Sequence, residues 1–91
     1  MSENKVTMYG AEWCGDCRRS KKFLDTNQVN FTYVDIEHDE AGKEKAIEIS
    51  GKKSIPVIAF SDETHMVEPS DNDLKNKLNE ISEFMDIQNS D

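Results

Sequence analysis

Much of what builds or places other small proteins is scarce in this chain of 91 residues: it has two cysteines, two prolines, four glycines and two histidines. No apolar run approaches the roughly 20 residues a bilayer-crossing helix needs, which excludes a membrane span of that kind. No basic-then-apolar segment opens the chain, so a cytoplasmic location is expected. With no second cysteine pair, and with His38 and His65 far from each other and from the cysteines, the four ligands of a structural zinc site are not at hand. Positive charge is scarce as well. Eleven Lys and Arg face nineteen Asp and Glu, giving a net charge of −8 and a pI near 4.7. That balance disfavours nucleic acid and anionic lipid as partners. The length leaves room for one domain, residues 1–91, with a single modest core. Residues 88–91 are expected to fray, and the domain to act as a monomer.

What is present is concentrated at Trp13-Cys14-Gly15-Asp16-Cys17. Both cysteines of the chain lie here, after an apolar β-prone run (Val6 to Tyr9) and before a basic, helix-compatible one. Residues i and i+3 of a first helical turn share one side, so the two sulfurs can join or part with little backbone movement. Cys14 falls at or beside the N-cap, where unpaired N–H groups and the helix dipole favour a thiolate, making it the expected nucleophile. Thiols so placed ionise at pKa values of roughly 3.5–7.5 instead of about 8.5. Cys17, one turn deeper, is expected to be shielded and to resolve the mixed disulfide that Cys14 forms. In a reducing cytoplasm such a pair reads as a redox couple and not as a staple.

Alternation and periodicity set the organisation. Residues 4–9 read as a strand with Val6 and Met8 on one face and Thr7 and Tyr9 on the other. A helix from Gly15 to Gln28 would bury Cys17, Phe23 and Leu24. Residues 31–36 form a second strand, and Asp39 caps a helix to about Ile49 that closes at Ser50-Gly51. Val57 to Phe60 has the unbroken apolar character of a central strand, and Thr64 to Val67 returns from a polar turn. Ser70 and Asp73 form a capping pair for the last helix, whose stripe is Leu74, Leu78, Ile81 and Met85 with Phe84 beside it. Strand, helix, strand, helix, strand, strand, helix makes an α/β domain: a four-stranded mixed sheet flanked by three helices, its first crossover joining parallel strands.

Four segments give this order a family likeness: the Trp13 to Cys17 motif after the first strand, Val34-Asp35-Ile36, Ser54-Ile55-Pro56, and the Pro69-Ser70 loop. With them the chain resembles the thioredoxin-fold redoxins, and within them the glutaredoxin branch. Only one strand fits before Cys14, whereas thioredoxins proper carry a further strand and helix there. It is most similar to mycoredoxins, which share the W-C-G-x-C form and the stretch seen here from Val34 to His38. Short glutaredoxin-like hydrogen donors of ribonucleotide reductase, recharged by thioredoxin reductase, are similar too.

The resemblance implies a thiol–disulfide oxidoreductase with no bound cofactor. It would act on disulfide-containing or S-thiolated proteins and draw electrons from a low-molecular-weight thiol (glutathione, mycothiol or similar) or from thioredoxin reductase. It also implies that Pro56 is a cis-proline facing the active sulfurs and that the Ile55 backbone bonds a bound thiol peptide. Lys52 or Lys53 would hold one carboxylate of the thiol, and Ser70 and Asp71 would receive the other. Trp13 would be a platform beside the sulfurs. Asp16 departs from the pattern, because glutaredoxins usually carry Tyr there and thioredoxins Pro. A carboxylate beside Cys14 opposes thiolate formation and an incoming anionic thiol. The basic run Arg18, Arg19, Lys21 and Lys22 is either a solvated face or a positive rim around the site. The alternative to turnover is an iron–sulfur or other metal-binding module in which two subunits each supply these thiolates.

Overall fold

A computed structural model describes the backbone of residues 6–85 and the side chains of residues 6–80. The expected strand start at residues 4–5, the side chains of Ile81, Phe84 and Met85, and the tail at 88–91 lie outside the described residues. The elements follow the expected order: β1 (Val6–Gly10), α1 (Gly15–Thr26), β2 (Phe31–Asp35), α2 (Glu40–Ser50), β3 (Val57–Phe60), β4 (His65–Val67) and α3 (Asp71–Met85).

The strands lie in the order β2-β1-β3-β4. β1 runs parallel to β2, with Val6 opposite Phe31 and Gly10 opposite Asp35. β3 is antiparallel to both neighbours, setting Met8 against Ile58 and Tyr9 against Val57 in β1, and Ile58 against Met66 in β4. Because side chains alternate along a strand, this register sorts the apolar residues into two layers. Val6, Met8, Ile58 and Phe60 join Cys17 and Leu24 of α1, Val29, and Leu74 and Leu78 of α3 in one buried cluster. On the opposite face Tyr9 and Val57 meet Ala46 of α2, with Val34, Ile36, Ile49, Ala59 and Val67 half-buried around them. Phe23 belongs to the edge of the first cluster and is half-buried, where the sequence suggested full burial.

Local chemistry fixes the helix ends. Asp39 caps α2 by accepting the Gly42 N–H at 2.9 Å, and Gly51 ends it in the left-handed region at φ 73°. Ser70 and Asp73 bond reciprocally at the head of α3, the Asp73 N–H to Ser70 Oγ at 3.0 Å and the Ser70 N–H to the Asp73 carboxylate at 3.3 Å. α1 stops two residues short of the expected Gln28. There the Val29 N–H bonds the Leu24 carbonyl at 2.9 Å and the Gln28 N–H bonds that of Asp25 at 3.0 Å, with Gln28 itself at φ 60°. This is a Schellman closure, normally given to glycine, and the absence of glycine hid it from sequence reasoning.

One buried cation was not foreseen. Lys77 lies on the core-facing stripe between Leu74 and Leu78, is 9% exposed, and reaches the Asp62 carboxylate at 2.9 Å across the Phe60 ring. Asp62 also accepts from the Thr64 hydroxyl, and these bonds, that of Thr64 first and that of Lys77 next, bring its pKa down to about 2. The pair fastens α3 to the β3–β4 turn.

Candidate active site

β1 ends on the sheet and the chain turns through Ala11, Glu12 and Trp13 before α1 begins. Cys14 is the N-cap: its backbone is extended (φ −87°, ψ 119°), its N–H bonds the Ala11 carbonyl at 3.2 Å, and its carbonyl accepts the Arg18 N–H at 3.0 Å. Its Sγ accepts the Cys17 N–H at 3.3 Å, taking the place a serine or aspartate oxygen usually fills in a cap. Both thiols are free, Cys14 partly exposed and Cys17 buried.

Cys17 sits in the apolar cluster under the motif, 1% exposed. A Cβ added at Gly10 would stand 2.9 Å from the Cys17 sulfur, so this thiol packs on the bare backbone of β1. Burial pushes its pKa up to about 12, assisted by the hydrogen bond with Cys14 and opposed by the Ala11 backbone. At neutral pH Cys17 is therefore a protonated thiol.

On the α2 side the motif opens into a groove of about 350 Å³ lined by Trp13, Ile36, Glu37, Glu40, Lys43 and Lys53. Trp13 is the exposed large hydrophobic residue of the described chain, at 64%, and its indole N–H donates to Glu37 Oε2 at 2.7 Å. Lys53 joins Trp13 there. Lys52 does not line the groove; its backbone N–H and carbonyl both bond the Ser50 hydroxyl, at 3.1 and 3.0 Å. The Ile55–Pro56 bond is cis, as the resemblance implies. Pro56 is buried with its carbonyl bonded to the Glu68 N–H at 2.9 Å, and Ile55 packs on the same cluster as Cys14.

On the α3 side the charges meet one another. The Arg19 guanidinium donates to Asp16 Oδ1 at 3.0 Å from Nη1, to Asp71 Oδ1 at 3.4 Å from Nε, and to the Pro69 carbonyl at 3.1 Å from Nη2. Asp16 and Asp71 are thus brought together through Arg19, while the Ser70 hydroxyl is used in the cap of α3. Arg18 donates to the Glu12 carbonyl at 2.9 Å, and Lys21 stands 4.4 Å over the Tyr33 ring and 4.0 Å from the Glu12 carboxylate. Three of the four cations after the motif are therefore tied to near neighbours, and the fourth, Lys22, is exposed. Tyr33 beneath Lys21 has its pKa raised to about 12 by burial, with Glu12 adding to the effect.

Both histidines lie at the surface. The exposed His38 ring bonds the Asp35 carboxylate at 2.9 Å, a contact that raises the His38 pKa and lowers that of Asp35. His65 is exposed on β4. Sequence reasoning missed Glu37, Glu40 and Lys43 as groove residues and Arg19 as a bridge. The i,i+3 spacing of Asp16 and Arg19 was a usable sign of their pairing; the partner at Asp71, 52 residues away, gave none.

Residues 6–66 match the family model for glutaredoxin. A glutaredoxin-named chain of Mycobacterium tuberculosis is 35% identical over 78 residues, covering 85% of this chain and 93% of that one. Mycoredoxin 1 of Corynebacterium glutamicum is 31% identical over 67 residues, covering 72% and 82%. Among solved structures, the glutaredoxin of Archaeoglobus fulgidus superposes with a TM-score of 0.72 at 31% identity, covering 82% of this chain and 86% of that one. The span matched by the family model reaches from β1 to beyond the cis-proline and takes in both sulfurs, so the chain belongs to the glutaredoxin family, whose general chemistry is thiol–disulfide redox.

Proposed function

We propose that this protein reduces protein disulfides, or mixed disulfides between a protein and a low-molecular-weight thiol, through a Cys14/Cys17 dithiol cycle in the cytoplasm. The supporting observation is the asymmetry of the two sulfurs: Cys14 is accessible and caps a helix, while Cys17 is buried and held protonated. Cys14 as thiolate attacks one sulfur of the substrate disulfide, and the other leaves as a thiolate that takes up a proton. Cys17 then gives up its proton and attacks Cys14 Sγ, releasing the second substrate thiol and leaving a Cys14–Cys17 disulfide. Capping Cys14 removes two of the influences that hold Cys17 protonated, the hydrogen bond and the charge of Cys14, when the second thiol must ionise. Two equivalents of small thiol, of the glutathione or mycothiol kind, or thioredoxin reductase, return the two electrons.

In this reading Trp13 and Lys53 hold the small-thiol or peptide moiety in the groove, and the Ile55 backbone beside Pro56 bonds the chain that carries the sulfur. Lys52 adds charge at the rim. Ser70 and Asp71 mark the opposite side, and the protein works as a monomer.

Cys14→Ser should abolish reduction of both substrate types. Cys17→Ser should abolish dithiol reduction of a protein disulfide and trap a mixed disulfide detectable by intact mass. Running the assay in parallel with glutathione, mycothiol, bacillithiol and thioredoxin reductase identifies the reductant. Full activity in Cys14→Ser would overturn the assignment. A coloured dimer without turnover would favour the metal-binding alternative.

A further inference from the structure

Arg19 places all three guanidinium nitrogens, yet its side chain is 44% exposed and lies outside the apolar core. Its partners belong to different parts of the site. Asp16 stands between the two cysteines in the first turn of α1, Asp71 opens α3, and the Pro69 carbonyl lies in the loop before it. Gly15, the other residue between the cysteines, has open space around its Cα and offers no side chain to hold Asp16. The carboxylate that should oppose an anionic sulfur is therefore met by a cation from its own helix, 3.0 Å away.

We propose that Arg19 is a positioning residue for the Cys14 reaction: it neutralises Asp16 beside the nucleophile while clasping the head of α1 to the Pro69–Asp71 segment. This rests on Cys14 being the nucleophile. Asp16 alone would slow the attack, and the Asp16–Arg19 pair does not. Arg19 is also the point through which charge at Asp71 reaches the motif, because one guanidinium serves both carboxylates.

The test is a double-variant cycle read by the rate of Cys14 alkylation with iodoacetamide, in the full chain carrying Cys17→Ser, at neutral pH and low salt. Arg19→Gln should slow alkylation by about two- to fivefold, the range open to half-exposed charges, and move the pH midpoint of the rate upward. Adding Asp16→Asn to Arg19→Gln should restore the rate. Arg19→Lys, which keeps the charge without the fork, should stay near the parent and supplies a folded comparison if Arg19→Gln proves unstable. In about 0.5 M salt the Arg19→Gln deficit should shrink, since exposed charges are screened. An unchanged rate in Arg19→Gln would overturn the proposal. So would a double variant as slow as Arg19→Gln alone, which would reduce Arg19 to a mechanical clasp. A Cys14 inert in every variant would instead strike the proposed function itself.

Discussion

The two faces of the sheet are unequal. Among the described residues, the face under α1 and α3 buries nine in one cluster, among them Cys17, whereas the α2 face buries Tyr9, Ala46 and Val57 under a half-covered rim. The Cys17 sulfur is set in the thick layer and the groove opens on the thin one. The thick layer thereby holds the Cys17 side chain in place, while the thin one leaves a groove with charged side chains at the surface. The charges divide in a similar way. Arg19, Asp16 and Asp71 satisfy one another beside α3, while Lys43 and Lys53 share the groove with Glu37 and Glu40.

The largest effect is expected from breaking the thick face. Leu24→Ala removes a fully buried side chain next to the α1 core and should cost about 2–5 kcal/mol in denaturant melts. It should also make Cys17 accessible to alkylation. Ile49→Ala on the α2 face removes a half-buried side chain and should cost about 1 kcal/mol with no change at Cys17. Equal losses from the two variants would erase the contrast between the layers.

Next come changes confined to the groove. Trp13→Ala and Lys53→Glu should leave the melting temperature unaltered, because both side chains are exposed. Each should raise KM for a small-thiol mixed disulfide, Lys53→Glu by about two- to fivefold. A fall in kcat at constant KM would move these residues from binding to chemistry.

Acid melts probe the fastening of α3. The folded Asp62 pKa, about 2, lies below its ordinary value of 3.8. Its contribution is therefore complete above about pH 4 and is lost as pH falls toward 2. Asp62→Asn should flatten the stability profile over that window while leaving it parallel to the wild type above pH 5. Lys77→Met removes the cation but leaves the Asp62 carboxylate without that partner, so it should destabilise the fold by about 1–3 kcal/mol at neutral pH and narrow the gap to wild type in acid.

The smallest expected effect sharpens the end of α1. Gln28→Gly relieves a side chain held at φ 60° and should stabilise the protein by about 0.5–1 kcal/mol in thermal melts. A loss of stability would mean that the Gln28 side chain contributes a contact worth more than the backbone relief.

Much of the fold was legible because it is written within single turns and strand repeats. Asp39, Ser70 and Gly51 act on backbone groups at most four residues away, and the alternation of Val6 and Met8 with Thr7 and Tyr9 survives intact as the two layers. Gln28 was misread because a left-handed residue other than glycine leaves no mark in composition. Lys77 shows the converse: its place on the apolar stripe was visible, but the acid that lets it be buried sits 15 residues away in a turn.

Local sequence was enough to set the order of elements, the placing of both sulfurs at the head of a helix, and the caps that bound α2 and α3, since these depend on hydrogen bonds and periodicities of a few residues. Tertiary structure decided that Arg19 meets Asp71 across 52 residues, that Trp13 leans on Glu37 across 24, and that Lys53 and not Lys52 reaches the groove. Such contacts follow from the strand order and from how α1 and α3 pack on one side of the sheet. No local pattern encodes which distant side chains that packing will set within hydrogen-bonding range.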